Sequence, residues 1–185
     1  MPREPGSDPS IAPISAIAGL AAGALTSILQ AFLGFPWLAL ANAASPWLVP
    51  PFCAGAVRRR VGRAVAMGLV TCVCEVAGYY LTAALRGYSG DLRYELLWTA
   101  CALAGGPVSG AAGWLWRRGA GRLRLLGAAA LPAAFLAEGL LNYGVRLHYT
   151  SSAVLFTCVA AGASVILGWT ALRRSAAGRP AAETP

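Results

Sequence analysis

Two carboxylic acids lie inside long apolar runs of this chain, and any chemistry the protein performs would start from them. Glu75 falls in a stretch from about Val61 to Leu85, and Glu138 in one from about Leu125 to Leu147. An acid at the centre of a bilayer costs about 2.5–3.5 kcal/mol, so both should face other helices or a polar cavity rather than lipid. On a helix, Gly68, Cys72, Glu75 and Tyr79 share one face, while Glu138 and Asn142 are one turn apart with Tyr143 beside them. A third polar group sits in Leu40 to Gly55, where Asn42, Ser45 and Trp47 accompany Pro46, Pro50 and Pro51. Each proline removes a backbone donor and crowds the preceding turn, so a continuous helix is not expected there. Ser45 followed by Pro46 has the form of a helix start, a capping hydroxyl and then proline at the first helical position.

These groups should meet at one depth. Both acids lie roughly 20 Å from the arginine-rich ends of their spans, at about 1.5 Å per residue. A helix from Pro46 to Val57 would rise roughly 18 Å to the next arginine cluster. Half-helix N-termini inside a membrane expose N–H groups and a positive dipole end, as transporters do at their binding sites. The expected site is therefore Asn42, Ser45, Trp47, Glu75, Tyr79, Glu138 and Asn142, with Gln30 adding a further hydrogen-bonding group. Two readings of it stand. It holds a small solute or ion, or its acids only bond the broken backbone and fix helix packing, at about 0.6 kcal/mol per contact.

Other chemistries are poorly supplied. Five cysteines lie in apolar segments, and Cys72 and Cys74, two apart, point to roughly opposite sides of a helix. With His148 the sole histidine, neither a metal nor any other cofactor is expected. A Ser/His/Asp relay would need His148, which falls at a membrane surface, and Ser109 has no base at hand. A non-enzymatic protein is the expectation.

The elements that carry these residues follow from composition. With 57% of residues hydrophobic and 12% charged, the chain is far from the roughly 25% charged residues of a soluble domain. It reads as an all-α polytopic membrane protein with six transmembrane helices, at about Ile11–Leu33, Trp37–Val57, Val61–Leu85, Glu95–Trp116, Leu125–Leu147 and Ser152–Leu172. The second should be broken at Ser45-Pro46. Residues 1–10 and 173–185 read as disordered tails around one transmembrane domain, 11–172. Ala41-Asn42-Ala43 has the look of a signal cleavage site, but the apolar run before it exceeds the 7–15 residues of a signal core.

Orientation can be read independently. The net charge of +8 comes from arginine alone. Six spans with a cytoplasmic N-terminus put twelve of the fifteen arginines inside, leaving Arg86, Arg93 and Arg146 outside. That asymmetry fits the positive-inside rule with both termini cytoplasmic, in a bacterial plasma membrane. Basic loops so placed are topology signals, so nucleic acid is not an expected partner. The lipid bilayer, a small-molecule solute and a membrane-protein partner are.

Small residues should carry the packing. Gly106, Gly110 and Gly113 make one stripe, Gly19 and Gly23 a second, and Ser164 and Gly168 a third, each permitting close helix approach. A faint repeat also appears: Gln30, Glu75 and Glu138 fall late in the odd spans, and the even spans end in Gly followed by an Arg-Arg pair. Trp98 and Tyr149 read as interfacial anchors.

Asn42…Trp47…Phe52-x-x-Gly55, Glu75-x-x-Gly78-Tyr79-Tyr80, Ala104-Gly105-Gly106-Pro107 with Gly110, Trp114-x-Trp116-Arg117-Arg118, Glu138-Gly139-Leu140 and Leu147-His148-Tyr149 occur in that order. The set resembles an uncharacterised family of small six-span bacterial membrane proteins, which implies the fold and no known activity. A looser resemblance is to the substrate-capture subunits of energy-coupling-factor transporters. It rests on six spans and Ala18-x-x-x-Ala22 on the first helix, the kind of face those proteins dock with.

Overall fold

The computed structural model describes residues 11–88 and 90–177. The described residues are helical, with no strand among them: α1 (Ile11–Phe32), α2 (Trp37–Ala41), a 3-10 turn (Ser45–Leu48), α3 (Val49–Ala56), α4 (Val61–Leu85), α5 (Leu92–Arg118), α6 (Gly121–Ala137) running on as a π-helix (Glu138–Arg146), and α7 (Thr150–Ala177). Helix ends follow local chemistry. The Asp91 side chain caps α5 by accepting from the Arg93 amide at 2.9 Å. α4 ends at Gly87, whose φ of +82° suits glycine, with Tyr88 N–H bonded back to the Ala83 carbonyl at 3.0 Å. α7 continues through Arg173 and Arg174, so the first residues expected in the tail are helical; 1–10 and 178–185 lie outside the described residues.

Glycines set the helix neighbours. A Cβ at Gly23 would stand 1.8 Å from the Glu75 carbonyl oxygen, and one at Gly19 2.2 Å from that of Thr71, so α1 and α4 touch backbone to backbone. Gly19 meets Thr71, Gly23 meets Glu75 and Ser27 meets Arg86, so the two helices run parallel. α5 runs antiparallel to α4, with Gly106 and Gly110 against Gly68 and Ala64. α3 lies along α5, where a Cβ at Gly113 would be 2.0 Å from the Phe52 carbonyl oxygen. α6 folds back on α5, and α7 on α6.

The stripe expected at Ser164 and Gly168 does not behave like the others. Nothing lies within 4 Å of a Cβ at Gly168; with Ser164 it lines an open groove of about 460 Å³ between α6 and α7. A small residue brings backbones together only when the facing surface is also shallow, and here Leu125, Pro132 and Leu136 of α6 line the groove as well.

Among the described residues four helices are long and apolar enough to cross a membrane: Ala12–Phe32, Val61–Leu85, Gly121–Arg146 and Thr150–Ala176. Large apolar side chains are exposed around the outside, among them Leu85, Val108, Val165 and Ile166, as lipid contact requires. The chain is thus all-helical with a membrane-like exterior. The count of six expected from sequence is not reached on length and hydropathy alone. α5, at 27 residues, is long enough but diluted by its packing glycines and end charges, and α2, the 3-10 turn and α3 are separate short pieces.

Candidate functional site

The broken segment (α2, the 3-10 turn and α3) is the hub of the bundle, touching α1, α4, α5, α6 and α7. Breaking a helix strands carbonyls at the end of one piece and N–H groups at the start of the next. Side chains from three other elements meet them. Gln30 on α1 donates through Nε2 to the Ala41 carbonyl at 2.9 Å, and Tyr143 of the π-helix donates its hydroxyl to the Ala39 carbonyl at 2.9 Å. The Glu138 carboxylate accepts from the Ala44 amide at 2.9 Å and the Ser45 amide at 2.7 Å, one oxygen to each. Farther along, Ser109 on α5 donates to the Leu48 carbonyl at 2.6 Å, just before Pro50 and Pro51, which supply no N–H.

The break is where sequence placed it, but its cap is different. Ser45 does not cap with its hydroxyl. The residue preceding the turn is Ala44, no local side chain caps it, and Ser45 Oγ is buried without a hydrogen-bond partner among the described residues. A carboxylate from a distant helix does the work instead, and a charged acceptor makes the stronger bond.

The π-helix explains which neighbours Glu138 has. In an α-helix Glu138 and Asn142 would share a face; the wider i→i+5 turn moves that partnership to Tyr143. Glu138 and Tyr143 both reach the break, Tyr143 is buried and stacks on Phe156 with ring centroids 4.9 Å apart, and Asn142 stands half-buried to one side. Gly139 makes room, since a Cβ there would lie 2.4 Å from the Phe156 Cβ.

The remaining expected residues divide. Asn42 is exposed and donates back to the Leu38 carbonyl of its own helix at 3.1 Å. Trp47 is buried in an apolar cluster with Cys72, Val76 and Ala102. It packs on Tyr79 and stacks on Trp98, at centroid separations of 5.6 Å each, so Trp98 serves the core as well as the surface expected of it. Glu75 is 2% exposed and its Oε2 has no hydrogen-bond partner among the described residues. Tyr79 donates to Gln30 Oε1 at 2.7 Å, extending the polar chain from the break toward the C-terminal ends of α1 and α4.

That chain leads into a cleft of about 290 Å³ between those ends, where Ser27, Gln30, Tyr79, Tyr80, Arg86 and Tyr88 meet. Arg86 donates through Nη1 to the Ser27 carbonyl and lies over the Tyr88 ring, 5.1 Å from its centroid. Neither this cleft nor the α6–α7 groove is lined by Ser45, Glu75 or Glu138. Among the described residues no cluster of three metal-binding side chains occurs, and Cys72 and Cys74 face α5 and α1 respectively.

A profile described as a family of unknown function (DUF6518) matches residues 4–183. The chain belongs to this family. No curated protein and no solved structure matches it, so the looser resemblance to energy-coupling-factor subunits gains no support. Membership carries no activity with it, and the geometry must speak for the family.

Sequence reading missed three contributors. Arg58, first of a basic triplet, is buried and donates to Ser15 Oγ at 2.9 Å and to the Ala54 carbonyl; nothing in Arg58-Arg59-Arg60 distinguishes it from its neighbours. Arg86 reads from sequence only as a topology marker. Ser109 had a signal, since paired prolines announce carbonyls short of donors.

Proposed function

We propose that this protein is a non-enzymatic, six-span protein of the bacterial plasma membrane, both termini cytoplasmic, that binds a small polar solute from the outer side. The observation that carries this reading is the cleft at the ends of α1 and α4, whose lining residues Gln30 and Tyr79 also belong to the hydrogen-bond chain holding the broken helix. A solute that bonds Tyr79 or Gln30 competes with that chain, which links occupancy of the cleft to the geometry of the break. Six crossings are supported by the parallel arrangement of α1 and α4: the segment between them must bring the chain back from one end of the bundle to the other. Its break is then an intramembrane feature, and irregular backbone is tolerated there because protein groups meet it. Glu75, buried with an unpartnered oxygen, is the polar reserve nearest this chain along α4.

A second reading, a structural or assembly subunit, is favoured by the two bonds from Glu138, which satisfy the freed N–H groups without any ligand. The α6–α7 groove would then be where a partner helix lies.

Melting of the purified, detergent-solubilised protein against a panel of neutral, anionic, cationic and zwitterionic small solutes separates the two. Solute binding predicts that at least one class raises the melting temperature and that Tyr79→Phe weakens the rise. A flat response across the panel, with a membrane protein recovered in fixed ratio from native membranes, would transfer the assignment to the subunit reading.

A further inference from the structure

The cleft carries a statement about the kind of ligand, which rests on the solute-binding reading above. One cation and no acid are among its lining residues, and the cation is held in place. Arg86 is half-buried, and one guanidinium nitrogen, Nη1, is anchored on Ser27, whose hydroxyl lies 3.4 Å from the same atom. Among the described residues Nε and Nη2 have no protein acceptor. A guanidinium fixed by one edge and open on another presents a planar fork, the geometry that carboxylates and phosphates accept in pairs of bonds.

The surroundings suit such a group. Tyr88 backs the guanidinium face, and Tyr80 packs edge-on against Tyr79 at 5.1 Å, so aromatic walls flank the site. At the rim, Glu95 reaches Gly90 closely enough that a Cβ there would stand 2.2 Å from its Oε1. That negative charge at the entrance weighs against ligands of high negative charge and in favour of a single one.

We propose that the cleft between the ends of α1 and α4 binds the carboxylate or phosphate of a singly charged group, with Arg86 as its anchor and Tyr79, Tyr80 and Tyr88 as its walls. The same chemistry is offered by a free small anion and by the headgroup of an anionic lipid at the membrane surface, and the test separates them.

The full-length protein is melted in detergent with acetate, with inorganic phosphate and with acetamide, the neutral isostere of acetate, at matched ionic strength. It is also melted in nanodiscs of phosphatidylglycerol and of phosphatidylcholine. Stabilisation by acetate or phosphate but not acetamide identifies a free anion. Stabilisation by phosphatidylglycerol over phosphatidylcholine that is lost in Arg86→Gln identifies a headgroup. In either case Arg86→Gln should weaken the apparent affinity about 10- to 100-fold, with Arg86→Lys between, as loss of hydrogen bonds to a charged partner implies. Should Arg86→Gln fail to fold, the wild-type comparison of acetate with acetamide still decides. No stabilisation by either anion or by phosphatidylglycerol overturns the proposal, as does an unchanged response in Arg86→Gln. If neutral solutes still raise the melting temperature through Tyr79, only the anion assignment falls; if nothing does, the solute-binding reading falls with it.

Discussion

At the scale of single residues, the decisive one is Glu138. Glu138 is half-buried, and a carboxylate withdrawn in part from water needs good donors; two backbone amides meet it, one on each oxygen. Those amides open the 3-10 turn, where proline and the break leave them without helical partners. Glu138→Ala should therefore destabilise by about 2–4 kcal/mol, since it removes charge-assisted bonds and leaves the freed N–H groups unpaired. Glu138→Gln keeps one acceptor oxygen and should lose roughly half as much. Asn142→Ala, removing a side chain that makes no bond to the break, should be close to neutral. Thermal melting of the three variants in one detergent checks the order; an Asn142 effect as large as that of Glu138 would mean that the two act together as α-helical neighbours after all.

At the scale of elements, the molecule shows which patterns sequence can carry. Small-residue stripes were legible where both surfaces are small. Gly68 on α4 meets Gly106 and Gly110 on α5, and Gly23 meets bare α4 backbone at Glu75. The same pattern at Ser164 and Gly168 lines an open groove, with nothing within 4 Å of a Cβ at Gly168, because whether a stripe is covered depends on the partner's side chains as much as its own. The break at Ser45-Pro46 was readable because proline acts locally on the backbone. The π-helix was not. A shift from i→i+4 to i→i+5 is set by tertiary packing, here Gly139 under Phe156 and Tyr143 on the break, and leaves no periodic mark in nine residues. Asn142, expected at the site, consequently stands at its margin, and Tyr143, not among the expected site residues, takes the central place. The glycine contrast can be measured. Gly23→Leu should lose folded protein, since its Cβ alone would enter the Glu75 carbonyl and overpacking costs about 1–3 kcal/mol or more. Gly168→Leu, facing open space, should be tolerated. Yield of monodisperse protein and melting temperature report both.

At the scale of the whole molecule, the arginines and the packing make the same argument by separate routes. Arg118 donates to the Arg58 carbonyl at 2.6 Å and Trp114 to that of Arg59, which puts the clusters after α3 and α5 side by side. Arg124 donates to Ser175 Oγ at 3.1 Å, and Trp116 to the Leu167 carbonyl, which brings the start of α6 and the end of α7 to the same end of the bundle. Arg86 lies at the opposite end, held to Ser27 beyond the α1–α4 contact. On the proposed six-span arrangement, the end that gathers the clustered charges is the one expected to stay cytoplasmic. Phosphatase fusions should accordingly be inactive after Arg60, after Arg118 and after Ala177, and active when placed at Gly87 or His148. Fluorescent-protein fusions should give the reverse pattern. An active phosphatase after Arg60 with an active one at Gly87 would mean that α4 does not cross, and the broken segment could no longer be a membrane-spanning element. The inactive–active–inactive–active–inactive order along those five positions requires four crossings, those of α4 to α7, because each change of side needs one transmembrane passage; an active fusion at Gly34, between α1 and α2, would add the crossing of the broken helix and, with the N-terminus inside, that of α1.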